Sequence, residues 1–199
     1  DSAVADLESD YTITRMTQKN HTCCGHTFAA IDSMIALASE YQLSAENVAS
    51  IHIGTYAKGV EICGNRNPQT VYEAKFSLPY AVAAGLVLGR ARFAAFTEEK
   101  LNDPDIRSVM SRIEFETDPD AEAKFPNFRS ATVTVETMDG ARYEHHSPTR
   151  KGDPDNPLSD AELEDKYREL VDPVIGPNAA SKLLDECWRL EQVHDVAQL

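Results

Sequence analysis

The sequence predicts an α+β fold, because it combines a recognisable β-hairpin with helices of strongly apolar character. Residues 131–137 and 141–146 alternate in the manner of strands and flank the turn-forming Asp-Gly pair at 139–140. Residues 77–89 are almost all small and apolar, which is typical of a buried helix that ends at Gly89. We therefore expect an antiparallel sheet with packed helices.

The remaining elements of this domain follow from shorter patterns. Residues 11–18 favour an extended strand, and an apolar stripe from Phe28 to Ala38 recurs at the spacing of one helix face. Later segments are predicted in this order: a strand at 51–56, a loop at 58–69, helices beginning at 97 and 103, a strand at 113–117 and a loop at 118–129.

The C-terminal quarter of the chain differs in composition. Residues 150–157 have the proline and glycine content of a linker, and Ser159 is a capping residue for a helix at 161–171. A second helix is predicted at 177–193. Two such helices cannot bury both of their faces alone, so we divide the chain into an α+β domain at 1–150 and a helical pair at 151–199. The pair is expected to pack on the first domain or on a part absent from this chain.

Composition excludes several classes of function. The 199-residue chain is 42% hydrophobic and has a formal net charge of −14, which disfavours binding to nucleic acid or to an anionic membrane. No apolar run approaches the roughly 20 residues of a transmembrane helix. The first residues lack the pattern of a signal peptide and an initiator methionine, so we expect a cytoplasmic protein and a fragment or processed chain.

Cysteine spacing argues against a structural metal site. His21, Cys23, Cys24 and His26 lie close together, but they do not form the spaced Cys-x-x-Cys pairs of zinc domains. We expect reduced thiols and no metal. A metal or iron–sulfur site that uses Cys23, Cys24 and Cys63 stays as an alternative.

Two polar clusters precede predicted helices and form the candidate site. Lys19, Cys24 and His26 lie in a turn before the first helix, where unpaired backbone N–H groups and the helix dipole favour an anion. The second cluster, at the start of the helix at 77–89, consists of Glu73, Lys75, Ser77 and Tyr80. We expect the two helix starts to face one carboxylate-sized cavity. The alternative is that both clusters are ordinary helix caps.

Three motifs in order resemble the C-terminal half of the MmgE/PrpD family. They are KNHTCCGHTFAAID at 19–32, EAKFSLPY at 73–80, and GDPDNPLS at 152–159 followed by Lys166 and Tyr167. The family includes 2-methylcitrate dehydratase, cis-aconitate decarboxylase and iminodisuccinate epimerase. The similarity extends from about residue 11 to the end of the chain.

The resemblance implies a two-part, cofactor-independent enzyme that acts on a small di- or tricarboxylate. Family members are longer and begin with a helical domain, which an α+β lid domain covers and on which the last helices pack. This chain would supply the lid and those helices, as a truncated chain or as one half of a split enzyme. A homodimer is also implied, and the missing helical domain or subunit would be a required partner.

The resemblance also implies roles for individual residues. Lys19 matches a lysine that binds a substrate carboxylate, and Tyr80 matches a pocket tyrosine that donates to a carboxylate or enolate. Lys75 and Ser77 adjoin that tyrosine and are expected to contact substrate. Some relatives have a histidine at the position of Cys24, so proton transfer falls to Cys24 or to His26, the nearest imidazole.

The expected reaction removes a proton next to a carboxylate, with Lys19 and Tyr80 stabilising the negative charge that develops. Loss of a leaving group then makes the enzyme a lyase of the dehydratase or decarboxylase type. Return of the proton to the other face would make it an epimerase. A lid module without catalytic activity is the remaining alternative.

Overall fold

The structure is a computed structural model that describes residues 11–195 and residue 197. The first residues, on which the expectation about a signal peptide rests, lie outside this range. The chain forms two compact units, Asp1–Pro157 and Leu158–Leu199. None of the helices in the described part combines the length and apolar character that crossing a membrane requires.

A four-stranded sheet forms the centre of the first unit. Its strands are β1 (Val48–Thr55), β2 (Ile113–Thr117), β3 (Ala131–Thr137) and β4 (Arg142–Ser147), in the spatial order β2-β1-β3-β4. The β1–β3 and β3–β4 pairs are antiparallel, whereas β1 and β2 are parallel. The α+β class is confirmed, but the sheet is mixed and not wholly antiparallel. Several helices separate β1 from β2, and such a long crossover allows parallel pairing.

The predicted hairpin is confirmed and has the expected turn chemistry. Gly140 adopts a φ of 86°, in the region that favours glycine, and the N–H of Thr137 donates to the carbonyl oxygen of Ala141 at 2.9 Å. The alternating burial of β3 places Val133 and Val135 in the core.

The described part of the first unit also contains seven α-helices: α1 (Phe28–Tyr41), α2 (Ala57–Cys63), α3 (Val71–Ala74), α4 (Leu78–Leu88), α5 (Glu98–Leu101), α6 (Pro104–Met110) and α7 (Pro119–Lys124). Helix α1 packs on β3, β4 and α4. A Cβ atom on Gly85 of α4 would come within 3.2 Å of Ile31, so this glycine permits the close approach of α4 to α1. The buried helix predicted at 77–89, which ends at Gly89, is confirmed.

Three sequence predictions in this unit are wrong. Residues 11–18 contain an exposed 3-10 helix, Thr12–Arg15, and no strand. The loop predicted at 58–69 contains α2, in which Gly59 is buried against the ring of Tyr56 and does not form a turn. The loop predicted at 118–129 contains α7, whose first turn is capped by Asp118.

In the described residues of the second unit, the two α-helices are α8 (Asp160–Ile175) and α9 (Pro177–Cys187), and a short 3-10 helix, Leu190–Gln192, follows them. The predicted capping box of Ser159 and Glu162 is present at the start of α8. The hydroxyl of Tyr167 donates to the carbonyl oxygen of Ala180 at 2.9 Å and ties the two helices together. Helix α8 runs further than predicted, past Pro173, and α9 ends earlier than predicted.

Candidate functional site

A cavity of about 350 Å³ lies beside the turn that precedes α1. It contains three of the predicted site residues and is lined by Lys19, His21, Thr22, Cys23, Cys24, Gly25, Lys75 and Phe76. The N–H of Cys24 donates to the carbonyl oxygen of Lys75 at 2.8 Å, and the N–H of Thr22 donates to that of Ala91 at 3.0 Å. These bonds join the turn to the segments on either side of α4, which is why the two polar clusters meet.

Two ammonium groups give the cavity a locally positive character. Lys19 Nζ donates to the carbonyl oxygen of Cys23 at 3.3 Å, which orients the side chain along the turn. Within the described residues, the ammonium of Lys75 has no ion-pair partner. The chain as a whole carries a formal net charge of −14, so these two cations oppose the overall negative field locally, at the cavity.

Cys24 is the cavity thiol with a lowered pKa. A hydrogen bond from the Cys63 thiol, the backbone N–H of His26 and the charge of Lys19 together outweigh its partial burial and lower the pKa of Cys24 to about 6. Cys63 is buried at the end of α2, and its contact with Cys24 and its burial both raise its pKa. Cys24 is therefore a thiolate at neutral pH while Cys63 stays protonated.

The adjacent Cys23 has the opposite character. Its side chain is buried, its sulfur lies 3.2 Å from the hydroxyl oxygen of Thr27, and burial raises its pKa to about 12. A thiol that stays protonated is a poor nucleophile or base. Of the vicinal pair, Cys24 is the thiol whose lowered pKa favours the thiolate.

His26, predicted as a proton-transfer residue, does not line the cavity. Its Nδ1 lies 2.7 Å from the hydroxyl oxygen of Tyr56, whose side chain is buried. Burial and then the positive charges of Arg129, Arg150 and Lys58 lower the pKa of His26, so its imidazole is neutral at pH 7. The structure thus places His26 in a neighbouring cluster and not beside Lys75.

Tyr80 and Ser77, both predicted to contact substrate, lie in the core. The hydroxyl of Tyr80 donates to the carbonyl oxygen of Ala95 at 2.7 Å, and the ring packs near Phe96. Ser77 donates to the carbonyl oxygen of Asn65 at 2.6 Å and accepts from the N–H of Tyr80, as the N-cap of α4. The second helix start therefore reaches the cavity through Lys75 and Phe76, because the side chains of Ser77 and Tyr80 turn inward with the helix.

A histidine–aspartate pair, of which His21 lines the cavity, was not predicted. His21 Nε2 lies 2.9 Å from Asp32 Oδ1, and Asp32 Oδ2 accepts the N–H of Lys151 at 2.8 Å. The other ring nitrogen of His21, Nδ1, is buried without a hydrogen-bond partner. Both residues belong to the motif at 19–32, but their contact depends on how the turn folds back against α1.

Two arginines near the site were also missed. Arg129 is half-buried, has no ion-pair partner within the described residues, and exerts its charge on Cys24, His26 and Tyr56. Arg150 is buried, forms a bidentate contact with Asp153 at 3.0 and 2.6 Å, and approaches Gly25 closely. No local motif marks them, because both come from loops distant in sequence.

No metal-ligand cluster of three or more histidine, cysteine or acidic side chains occurs within the described residues. Cys23, Cys24, Cys63 and Cys187 are all free thiols. The donor set of the cavity consists of two ammonium groups, one low-pKa thiol and one imidazole, which suits an organic anion better than a cation.

Comparison with known proteins assigns the chain to a family. Residues 21–190 match the model of the MmgE/PrpD C-terminal domain. Cis-aconitate decarboxylase from Homo sapiens is 30% identical over 132 residues, which is 66% of this chain and 27% of that protein. Cis-aconitate decarboxylase from Mus musculus is 24% identical over 132 residues, which again make up 66% of this chain and 27% of that protein. The chain thus spans about a quarter of the length of these relatives. On the strength of the matched domain, the chain belongs to the MmgE/PrpD family.

Proposed function

We propose that this chain is the C-terminal part of a cofactor-independent lyase that acts on a small di- or tricarboxylate by proton transfer next to a carboxylate. One observation carries the proposal: Lys19, Lys75 and Cys24 line the same cavity. Membership in the family supports a lyase or dehydratase, and two relatives are named as decarboxylases. A 2-methylcitrate-like or cis-aconitate-like acid is the expected substrate.

The cations would bind substrate and stabilise the charge that develops during reaction. A carboxylate seated between Lys19 and Lys75 becomes more negative when the adjacent carbon loses a proton, because the electron pair moves onto its oxygens. Fixed ammonium groups in a partly enclosed cavity stabilise that state more than they stabilise the free acid in water. Their role is electrostatic and requires no metal or organic cofactor.

Cys24 is the base in this proposal. Its thiolate lies in the cavity at neutral pH, whereas His26 is held by Tyr56 outside the cavity and Tyr80 is bonded to Ala95 in the core. A base whose pKa lies near the working pH is largely deprotonated and is still basic enough to accept a proton from the substrate.

The rest of the active site is expected from outside this chain. The aligned segment makes up only 27% of the human relative. We propose that a helical domain, on the same chain or as a separate subunit, completes the walls. A homodimeric assembly and a cytoplasmic location remain predictions from the family.

The test is to assay the complete protein that carries this sequence, and the 199-residue chain alone, on citrate, 2-methylcitrate and cis-aconitate. Formation or loss of an unsaturated acid can be followed by ultraviolet absorbance and released CO₂ by coupled assay. Activity of the complete protein that disappears in Cys24→Ala supports the proposal. Absence of both turnover and citrate binding, measured by calorimetry, would favour a lid module without catalytic activity.

A further inference from the structure

We propose that His21 is the acid of this cavity, acting through Nδ1, and that Asp32 is its positioning residue. The inference rests on the proposed function, to which it adds the group that protonates the leaving group. Among the side chains that line the cavity in the described part of the chain, His21 is the one imidazole.

Asp32 fixes the state of the His21 ring. A carboxylate accepts hydrogen bonds, so the 2.9 Å contact assigns a hydrogen to His21 Nε2. The carboxylate is itself held at its second oxygen by the N–H of Lys151. The ring of Phe28 meets the imidazole edge-on, with centroids 5.1 Å apart and planes at 82°. The imidazole is therefore fixed by a carboxylate on one side and by an aromatic ring on another.

The remaining nitrogen is the evidence for function. Residue His21 is only 3% exposed, and its Nδ1 is buried without a hydrogen-bond partner. Leaving a buried polar atom unpaired is destabilising, and most such atoms in folded proteins are paired. A ligand in the cavity that His21 lines would supply the missing partner.

Two other histidines of the first unit, His26 and His52, do not combine a carboxylate partner with a position in the cavity. His26 has its Nδ1 engaged by Tyr56 at 2.7 Å. His52 pairs with Glu116 at 3.3 Å on β1, where its side chain is 50% exposed. His52 therefore reproduces the histidine–carboxylate contact of His21 without the cavity, and it is a matched control.

The step balances for a hydroxy acid. The carbon-bound proton passes first to the Cys24 thiolate, and its electron pair moves onto the oxygens of the adjacent carboxylate. In a second step that pair forms the new C=C bond as the C–O bond breaks. In the proposed cycle His21 starts with a proton on each ring nitrogen, and the departing hydroxide takes the Nδ1 proton and leaves as water. Cys24 is then a thiol and His21 is neutral, and transfer of one proton from the thiol to the imidazole through solvent restores the starting state.

The experiment compares His21→Gln with His52→Gln in the complete protein, using citrate in D₂O. Glutamine keeps a donor toward Asp32 but cannot deliver a proton. We expect His21→Gln to lower elimination at least about 100-fold, the usual contribution of a general acid, while exchange of the carbon-bound hydrogen with solvent continues. His52→Gln should leave both rates unchanged.

Three outcomes would overturn the inference. They are an elimination rate in His21→Gln within a few-fold of the unmodified protein, an equal loss of exchange and elimination, and a loss of the same size in His52→Gln. If the unmodified protein turns over no di- or tricarboxylate at all, the proposed function fails and the inference falls with it.

A measurement on the unmodified protein covers the case in which His21→Gln does not fold. Histidine labelled with ¹⁵N reports the hydrogen bonding of each ring nitrogen by NMR. Addition of tricarballylate, a tricarboxylate that lacks a hydroxyl group, should shift the Nδ1 resonance of His21 and leave both resonances of His52 in place. An unchanged His21 signal at a saturating concentration of this ligand would overturn the inference.

Discussion

The backbone N–H of Cys24 donates a 2.8 Å hydrogen bond to the carbonyl oxygen of Lys75. This bond joins two segments that are far apart in sequence, and it brings a thiol and an ammonium group to the same cavity. Because it uses main-chain atoms, it leaves both side chains available for a ligand. The arrangement makes the cavity a property of the fold and not of either motif alone.

Removal of either cavity lysine should impair catalysis. In the complete protein we expect Lys19→Ala and Lys75→Ala each to lower kcat/KM by about 100- to 1,000-fold, the range seen when one group that stabilises developing charge is lost. Lys75→Arg, which keeps the charge, should recover part of the loss. Lys124→Ala, at the exposed end of α7, is the control. Steady-state kinetics would contradict the assignment if Lys124→Ala and Lys75→Ala behaved alike.

Local patterns sufficed for elements whose signals lie within a few residues. The Asp-Gly turn of the hairpin and the Ser159 cap of α8 are of this kind, and both were predicted. Helix α2 was missed because Gly59, which suggests a loop, serves instead for close packing against Tyr56. The parallel pairing of β1 with β2 depends on a crossover of several helices, which no local pattern specifies.

Alkylation should reveal the low pKa of Cys24. In a Cys187→Ser background, which removes the exposed thiol, the rate of reaction with iodoacetamide should rise with pH and level off above a midpoint near pH 6. The sign follows because the thiolate, which forms as pH rises through the pKa, is the reactive species. Mass spectrometry of the modified peptides would identify the site.

Cys63→Ala tests whether the hydrogen bond from Cys63 is the main cause of the low pKa of Cys24. This variant removes the thiol that donates to Cys24, so the midpoint should move to higher pH toward the ordinary cysteine value. A midpoint that stays near pH 6 would show that Lys19 and the His26 N–H suffice without Cys63. A midpoint already close to the ordinary value in the parent protein would remove Cys24 as the base.

The candidate site was predicted in part, for a reason visible in individual side chains. Lys19, Lys75 and Cys24 belong to turns, whose residues face outward, and they meet in the cavity. Tyr80 lies only a few residues from Lys75, but the first turn of α4 rotates it into the core. The contact of His21 with Asp32 joins a turn to a helix face, and spacing alone could not establish it.

Gly152 should be required for stability. It has a φ of 98°, and a Cβ atom there would overlap the carbonyl oxygen of Gln18, whose N–H donates to the Gly152 carbonyl at 2.8 Å. We expect Gly152→Ala to lower the free energy of unfolding by about 3 kcal/mol or more, through positive-φ strain plus steric overlap. Gly89 has a φ of 68°, but a Cβ atom there would meet no other atom within 4 Å. Gly89→Ala should therefore lower the free energy of unfolding by only about 1 kcal/mol. Urea unfolding of both variants makes the comparison, and equal losses would show that overlap with Gln18 is unimportant.

Tyr80→Phe separates a structural role for this tyrosine from the substrate contact that the sequence predicted. Its hydroxyl donates to the Ala95 carbonyl at 2.7 Å, and burial raises its pKa to about 12, so it stays protonated throughout the working range. Loss of the hydroxyl leaves a buried carbonyl unpaired, and we expect a loss of about 1–2 kcal/mol in the free energy of unfolding. If Tyr80 is structural, kcat/KM of the complete protein should change by less than about 3-fold. If Tyr80 instead donates to the reacting carboxylate or enolate, kcat/KM should fall at least about 100-fold, as for other donors to developing charge. Denaturant unfolding and steady-state kinetics on the same preparation distinguish the two, because only a substrate contact makes the catalytic loss exceed the loss of folded protein.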